Sequence, residues 1–129
     1  MATYDSIINN LDEEKPNVYP LNRKMIWLNN LEQQIKTNIF DTHENPPEGA
    51  DNISFDFSKQ IEEQSKKELL VPETHDELYI HYLAARIDYA NGEFEKYNNS
   101  NAMYEAAYSA FSNYYNRTHR PISGSNNYF

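Results

Sequence analysis

Apolar residues recur at helical spacing through residues 68–121, and tyrosine supplies a large share of them. A helix that buries one face needs an apolar residue every three or four positions, whereas a half-buried strand needs strict alternation. The chain also has only three glycines and six prolines in 129 residues. An all-β fold would use more of these residues in its turns. The pattern argues against an all-β fold and predicts helices, with a helical hairpin at the C-terminal end.

Two helices are predicted in the N-terminal part of the chain. Residues 3–11 place a capping residue, Thr3, ahead of apolar side chains at helical spacing. A longer amphipathic helix is expected from Arg23 to about Phe40, with Asn22 as its N-cap. Its apolar stripe consists of Met25, Leu28, Leu31 (or Glu32), Ile35 and Ile39.

The middle of the chain has the weakest pattern. Residues 41–57 contain a Pro-Pro pair and a glycine and lack any periodicity, so they are expected to form an irregular loop. A polar helix is then expected over residues 59–70, with Ser58 as its N-cap. Glu and Lys side chains four residues apart support a solvated helix there.

A hairpin of two helices is predicted at the C-terminal end. Thr74 and Glu77 match a capping box, which predicts a helix over about residues 74–97. Gly92 lies inside this pattern, and a glycine there indicates a bend or the close approach of another backbone. The polar residues 98–100 are expected to join this helix to a final one. So short a joint implies antiparallel helices.

The overall charge argues against ordinary nucleic-acid binding. The formal net charge is -9, whereas proteins that bind nucleic acids use Lys and Arg to neutralise phosphates. Arg117 and Arg120 make the C-terminal end locally basic on this acidic chain. The absence of cysteine excludes disulfides and thiol chemistry. No apolar run approaches 18 residues and the first residues do not resemble a signal peptide, so we expect a protein made in a cytoplasm without a membrane span.

Catalytic motifs are not found in the sequence. No glycine-rich phosphate loop, G-x-S-x-G elbow or H-E-x-x-H pattern occurs, and we expect neither an enzyme nor a cofactor. Glu77, His81 and Asp88 fall on related turns of the predicted helix and form one hypothetical metal site. No second helix supplies the matching carboxylate–His pair, so an exposed polar face is the simpler interpretation. The cluster at residues 41–44, Asp-Thr-His-Glu, likewise has no partner that would complete a site.

The tyrosine-rich hairpin allows three interpretations. The rows of tyrosine belong to the core of the subunit, or they form a protein interface, where Tyr and Arg are enriched. In the third interpretation they stack on the bases of single-stranded nucleic acid, which requires a basic groove beside the rings. The many carboxylates of this region argue against that groove.

Several stretches together resemble one family, the head–tail connector (adaptor) proteins of tailed bacteriophages. The matching stretches are residues 68–72 (ELLVP), 78–81 (LYIH), 87–91 (IDYAN), 97–100 (YNNS) and 114–121 (YYNRTHRP), together with 27–31 (WLNNL) and Ile35. The resemblance covers most of the chain, but residues 41–67 match nothing in it. It implies an all-α fold, a small bundle of about four helices with a C-terminal helical hairpin. One helical connector domain is expected over residues 1–121 and an extended C-terminal tail over 122–129.

The resemblance also implies a location and partners. Connectors of this kind are virion proteins that assemble as a ring, usually a dodecamer, beneath the portal protein. They extend the DNA channel, through which the genome passes without sequence-specific binding, and they present a surface to a further neck or tail-completion protein. The residues expected to contact the portal are Arg117, Arg120, Ile122, Tyr128 and Phe129. A different class remains open, a small helical cytoplasmic regulatory or adaptor protein that dimerises through its tyrosine-rich hairpin.

Overall fold

The structure, a computed structural model, describes residues 3–44, 47 and 64–119. Its elements in these ranges are α1 (Tyr4–Glu14), α2 (Leu21–Asn38), α3 (Glu77–Ala90) and α4 (Phe94–Thr118), with short 3-10 turns at Phe40–Thr42 and Glu73–His75. The predicted all-α bundle is confirmed. None of the described helices has the length and apolar content that a membrane span requires.

Helix α1 begins where the sequence predicts. The Ser6 backbone N–H donates to Thr3 Oγ1 over 3.1 Å, and the Thr3 backbone N–H donates to Ser6 Oγ over 3.0 Å. This reciprocal pair satisfies two of the N–H groups that a helix start leaves open. The helix extends to Glu14, beyond the predicted end, and buries Tyr4, Ile7, Ile8 and Leu11.

Helix α2 begins two residues earlier than predicted. Pro20 rather than Asn22 precedes it, in an extended conformation with φ -71° and ψ 160°. Proline suits a helix start because its fixed φ is close to the helical value. The predicted apolar stripe is buried, and Glu32 is buried with it at 1% exposure. The helix ends at Asn38, so Phe40 belongs to the 3-10 turn that follows.

The helix predicted over residues 59–70 does not extend that far. Residues 58–63 and most of 41–57 lie outside the described residues, and the chain is no longer helical after Gln64. Residues 64–72, here called the crossing segment, run beside the start of α1, where Tyr4 N–H donates to the Lys67 carbonyl over 3.2 Å. Leu69, Leu70 and Val71 are all buried. Three consecutive buried side chains do not fit the one-sided stripe of a solvated helix.

The capping box predicted at Thr74 is wrong. Residues 73–75 form a 3-10 turn, and α3 starts at Glu77 after Asp76 without a side-chain cap. His75 N–H donates to the Pro72 carbonyl over 2.9 Å. The His75 ring lies 4.7 Å from the Tyr114 ring, measured between centroids. Residues 73–75 therefore form a 3-10 turn in place of the predicted helix start, and in this turn His75 packs against α4.

The hairpin is formed, but its joint lies earlier than predicted. Helix α3 ends at Ala90, and Gly92 turns the chain with a φ of 75°, a value that suits glycine. A Cβ atom at Gly92 would meet nothing within 4 Å, so this residue provides the bend and not a close approach. Residues 98–100, the predicted joint, lie within α4. Cap-forming side chains are tolerated there because Ser100 donates a hydrogen bond to Asp88 over 2.8 Å.

Helix α3 lies at the centre of the bundle and contacts α1, α2 and α4. Two tyrosines of the hairpin, Tyr79 and Tyr115, are core residues with exposures of 0% and 3%. Tyr82, Tyr104 and Tyr108 are partly buried and pack against the same core. The core interpretation of the tyrosine rows therefore holds for these residues. It fails at the Gly92 end, where Tyr89 and Phe94 are exposed.

Candidate interface at the end of the last helix

Of the five residues predicted to contact the portal, the structure describes Arg117. Arg117 lies in the last turn of α4 and is exposed. A cation at this position complements the partial negative charge of a helix C-terminus. Arg120, Ile122, Tyr128 and Phe129 lie outside the described residues.

Aromatic stacking marks the end of α4. His119 leaves the helix in an extended conformation, and its backbone N–H donates to the Tyr115 carbonyl over 2.9 Å. The His119 ring is parallel to the Tyr115 ring, with 3.8 Å between their centroids. Thr118 Oγ1 donates to the Tyr114 carbonyl over 3.0 Å. Together these contacts fix the point at which the chain leaves the bundle.

A pocket of about 240 Å³ opens beside this helix end. The 3-10 turn after α2, the crossing segment and the end of α4 contribute to its largely apolar and aromatic lining, together with Pro47. The lining residues are Phe40, Pro47, Leu70, Pro72, Tyr114, Tyr115 and His119. Tyr115 adds a buried hydroxyl without a hydrogen-bond partner among the described residues, and burial raises its pKa. Sequence reasoning missed this pocket because its walls come from three separated stretches.

His43 ties the 3-10 turn to α4. Its Nδ1 lies 2.7 Å from the Ile39 carbonyl oxygen, and its Nε2 lies 2.6 Å from Asn116 Oδ1. The imidazole also meets the edge of Tyr115, with 5.1 Å between ring centroids. The neighbouring Asp41 instead pairs with Lys36 over 3.0 Å. Within residues 41–44, which the sequence did not favour as a ligand site, His43 thus makes structural contacts and Asp41 forms a surface ion pair.

The three residues of the hypothetical metal site on α3 do not lie together. Glu77 and His81 line one groove, whereas Asp88 is completely buried. The Asp88 carboxylate pairs with Lys15 Nζ over 2.7 Å and accepts the Ser100 hydroxyl. Over the described ranges, no group of three or more His, Cys, Asp or Glu side chains is arranged to bind a metal ion.

A buried carboxylate, Glu32, positions one wall of the pocket. Leu70 N–H donates to Glu32 Oε2 over 3.0 Å, and the Tyr79 hydroxyl donates to Glu32 Oε1. The Tyr79 oxygen in turn accepts Val71 N–H over 3.1 Å. These bonds fasten the crossing segment to α2 and α3, and the same segment carries Leu70 and Pro72 into the pocket wall.

The environment of Glu32 changes its acidity. Burial raises the pKa of this carboxyl from 4.5 to about 7, because the ionised form is poorly solvated. The hydrogen bonds from Tyr79 and Leu70 and the positive charge of Lys67 oppose this rise without cancelling it. The sequence offers one signal for such a residue, a glutamate that falls within the apolar stripe of α2.

Comparisons of the chain with protein-family models, curated proteins and solved structures find no match. The function therefore has to be inferred from the residues of this chain and their arrangement.

Proposed function

We propose that this chain is a structural head–tail connector subunit of a tailed bacteriophage. It forms a ring beneath the portal protein, extends the DNA channel and presents a surface to the next neck or tail-completion protein. It is made in the cytoplasm of the bacterial host, acts in the virion and catalyses no reaction. Its resemblance to the connector family outside residues 41–67 is the basis of this proposal.

The observation that carries the proposal is the position of the resembling stretches in the fold. Within residues 68–72, Leu70 N–H donates a hydrogen bond to the buried Glu32. The stretches 87–91 and 97–100 meet where Asp88 accepts the Ser100 hydroxyl. These stretches therefore include residues whose bonds join the crossing segment and the hairpin to the rest of the subunit.

The charge of the chain is compatible with a channel for DNA. A lumen must let the duplex slide, and acidic side chains repel phosphates over a Debye length of about 8–10 Å. A formal charge of -9 supplies such repulsion without any sequence-specific contact. Proteins that grip DNA have the opposite balance.

The portal contact is assigned to the end of α4 and the residues that follow it. Arg117 is exposed at this end, and Arg120 adds a second cation to an otherwise acidic chain. Ile122, Tyr128 and Phe129 supply apolar side chains of the kind that anchor interfaces.

Truncation after Pro121 tests this assignment. The truncated and full-length chains are each co-expressed with the portal protein encoded by the same genome, and the complexes are purified through a tag on the portal. We expect truncation to preserve the far-ultraviolet circular dichroism spectrum and to abolish co-purification. Val18→Ala is a suitable control, because Val18 is 93% exposed and lies away from the end of α4 in sequence.

Two outcomes would contradict different parts of the proposal. Co-purification of the truncated chain with the portal would overturn the tail assignment alone. Absence of the full-length chain from the protein list of purified phage particles would overturn the connector function. The alternative, a cytoplasmic dimer formed through the tyrosine-rich hairpin, predicts that absence. It is less well supported because Tyr79 and Tyr115 are already buried within the subunit.

A further inference from the structure

Two grooves of unlike charge flank helix α3. The first, here called the arginine groove, consists of two adjoining pockets of about 330 and 510 Å³ that share Tyr82 and Arg86. The hairpin contributes Tyr89, Tyr97 and Asn101 to it, and α2 contributes side-chain amides, among them Asn30 and Gln33. Among the residues that the structure describes, Arg86 is the only charged one that lines either pocket.

The second groove, here called the acidic groove, has a volume of about 290 Å³. Its lining comes from α1, α3 and α4 and consists of Glu14, Glu77, Ile80, His81 and Met103. Both glutamates are exposed, and neither has an ion-pair partner among the residues that the structure describes. This groove therefore presents uncompensated negative charge.

The two grooves lie on opposite sides of α3. Glu77 and Arg86 are separated by nine positions, which is about two and a half turns at 3.6 residues per turn, so their side chains leave the helix in opposite directions. The neighbouring helices agree with this arrangement. Helix α1 borders the acidic groove through Glu14, and α2 borders the arginine groove through its amides.

Each groove also offers one large exposed apolar side chain. Tyr89 in the arginine groove is 56% exposed, and Met103 in the acidic groove is 55% exposed. A thioether packs favourably against an aromatic ring. Arg86 is held over the Trp27 ring at 5.4 Å from its centroid and has no carboxylate partner in the described part of the chain. The two surfaces are thus complementary in charge and in apolar content.

We propose that the arginine groove of one copy binds the acidic groove of the next copy. In this contact Arg86 faces Glu14 and Glu77, and Tyr89 packs against Met103. Because the two faces differ and lie on opposite sides of the subunit, every copy binds two neighbours head to tail. Such heterologous contacts close into a ring of many copies when the rotation permits. The inference deepens the proposed function by naming the contact that builds the ring, but its test requires only the purified chain.

Cysteine cross-linking tests the pairing, because the chain has no cysteine of its own. Tyr89→Cys and Met103→Cys are prepared separately, one with a mass tag, and are mixed at high concentration with a short bis-maleimide. We expect the mixed dimer to form several-fold faster than the homodimer of either variant. A Tyr89→Cys and Val18→Cys mixture measures the rate of random collision, because Val18 is 93% exposed and lines neither groove.

Charge reversal then tests the role of Arg86. Adding Arg86→Glu to the Tyr89→Cys variant should reduce cross-linking to the collision rate, and Arg86→Lys should preserve it. Adding Glu14→Arg and Glu77→Arg to the Met103→Cys partner should restore cross-linking with the reversed variant. Circular dichroism of each variant checks that the fold is retained.

Three results would overturn the pairing. In the first, the mixed dimer forms no faster than the collision rate. In the second, the Tyr89→Cys homodimer forms as fast as the mixed dimer. In the third, the reversed charges fail to restore cross-linking. If the chain cross-links as expected but is absent from phage particles, this contact is supported and the connector function is overturned. If the chain binds the portal but does not cross-link, the connector function is supported and this contact is overturned.

Discussion

Glu32 and Asp88 are two buried carboxylates that stabilise different ends of α3. Near its start, Glu32 of α2 joins Tyr79 to the crossing segment. Near its end, Asp88 of α3 joins the hairpin to Lys15 after α1. Their exposures are 1% and 0%, so both have lost their contact with water. The two carboxylates differ in the protein groups that contact them in place of water.

The difference lies in the charge of the groups that contact each carboxylate. Asp88 receives the ammonium of Lys15 at 2.7 Å, whereas Glu32 receives a backbone N–H and a phenol. A buried carboxylate is costly unless a positive charge and hydrogen bonds compensate for the lost solvation. Neutral donors compensate only in part, and the pKa of Glu32 is accordingly raised to about 7. The Glu32 end should therefore respond to pH, and the Asp88 end should depend on its ion pair.

Glu32→Ala should give the largest loss of stability. At pH 5 the substitution removes the acceptor of Leu70 N–H and the partner of Tyr79, and it leaves a cavity in the core. Each unsatisfied buried polar group costs about 1–3 kcal/mol and the cavity adds to this, so the total loss should be about 3–5 kcal/mol. Urea unfolding followed by circular dichroism measures the change. Glu13→Ala on the exposed side of α1 is the control and should change little. A cost for Glu32→Ala below about 1 kcal/mol would show that Glu32 does not fasten the crossing segment.

The pH dependence of stability should be the next largest effect. The pKa of Glu32 is about 7 in the folded chain against an ordinary value of 4.5, so between these values the folded state binds more protons than the unfolded state. The stabilisation is complete below about pH 4.5 and is lost as the pH rises through 7, a change of about 3 kcal/mol.

Glu32→Gln isolates this contribution, because an amide has nearly the shape of the carboxyl and does not titrate, although its NH2 group donates where a carboxyl oxygen accepted. The variant should therefore lack the fall in stability that the parent chain shows between pH 5 and pH 8. The measurement is a series of urea unfolding curves from pH 5 to pH 8 for both chains. Parallel pH profiles for the two chains would mean that the pKa of Glu32 is not raised in the fold.

The same comparison explains what the sequence could predict. Helices α1 and α2 follow from apolar periodicity and nearby capping residues, because these signals are local. The buried Glu32 falls within the predicted stripe, but its partners Leu70 and Tyr79 are 38 and 47 positions away. A single sequence does not show such pairings, so the crossing segment was predicted as a solvated helix.

The predicted position of the hairpin joint was wrong for a related reason. Residues 98–100 are typical of caps, and local reasoning therefore placed the joint there. The bond from Ser100 to Asp88 instead uses one of these polar side chains across the hairpin, while Gly92 provides the turn. The portal-contact prediction came from composition and resemblance, and the aromatic pocket beside it depends on packing between distant stretches.

Asp88→Asn should give the smallest of the three effects. The amide can still accept the Ser100 hydroxyl, and the loss is confined to the ion pair with Lys15. The Lys15 side chain is 28% exposed, so it can turn towards water when its partner is removed. We expect a loss of about 2 kcal/mol, between the roughly 0–1 kcal/mol of an exposed ion pair and the roughly 3–5 kcal/mol lost when one partner of a buried pair is removed.

A double-mutant cycle with Lys15→Met separates the pair from the other contacts of each residue. The double variant should lose less stability than the sum of the two single losses. The exposed pair between Lys96 and Glu93 is a matched control, and its cycle should show no measurable coupling. Additive losses at Lys15 and Asp88 would mean that neutral hydrogen bonds support both buried carboxylates, and the contrast between the two ends of α3 would then disappear.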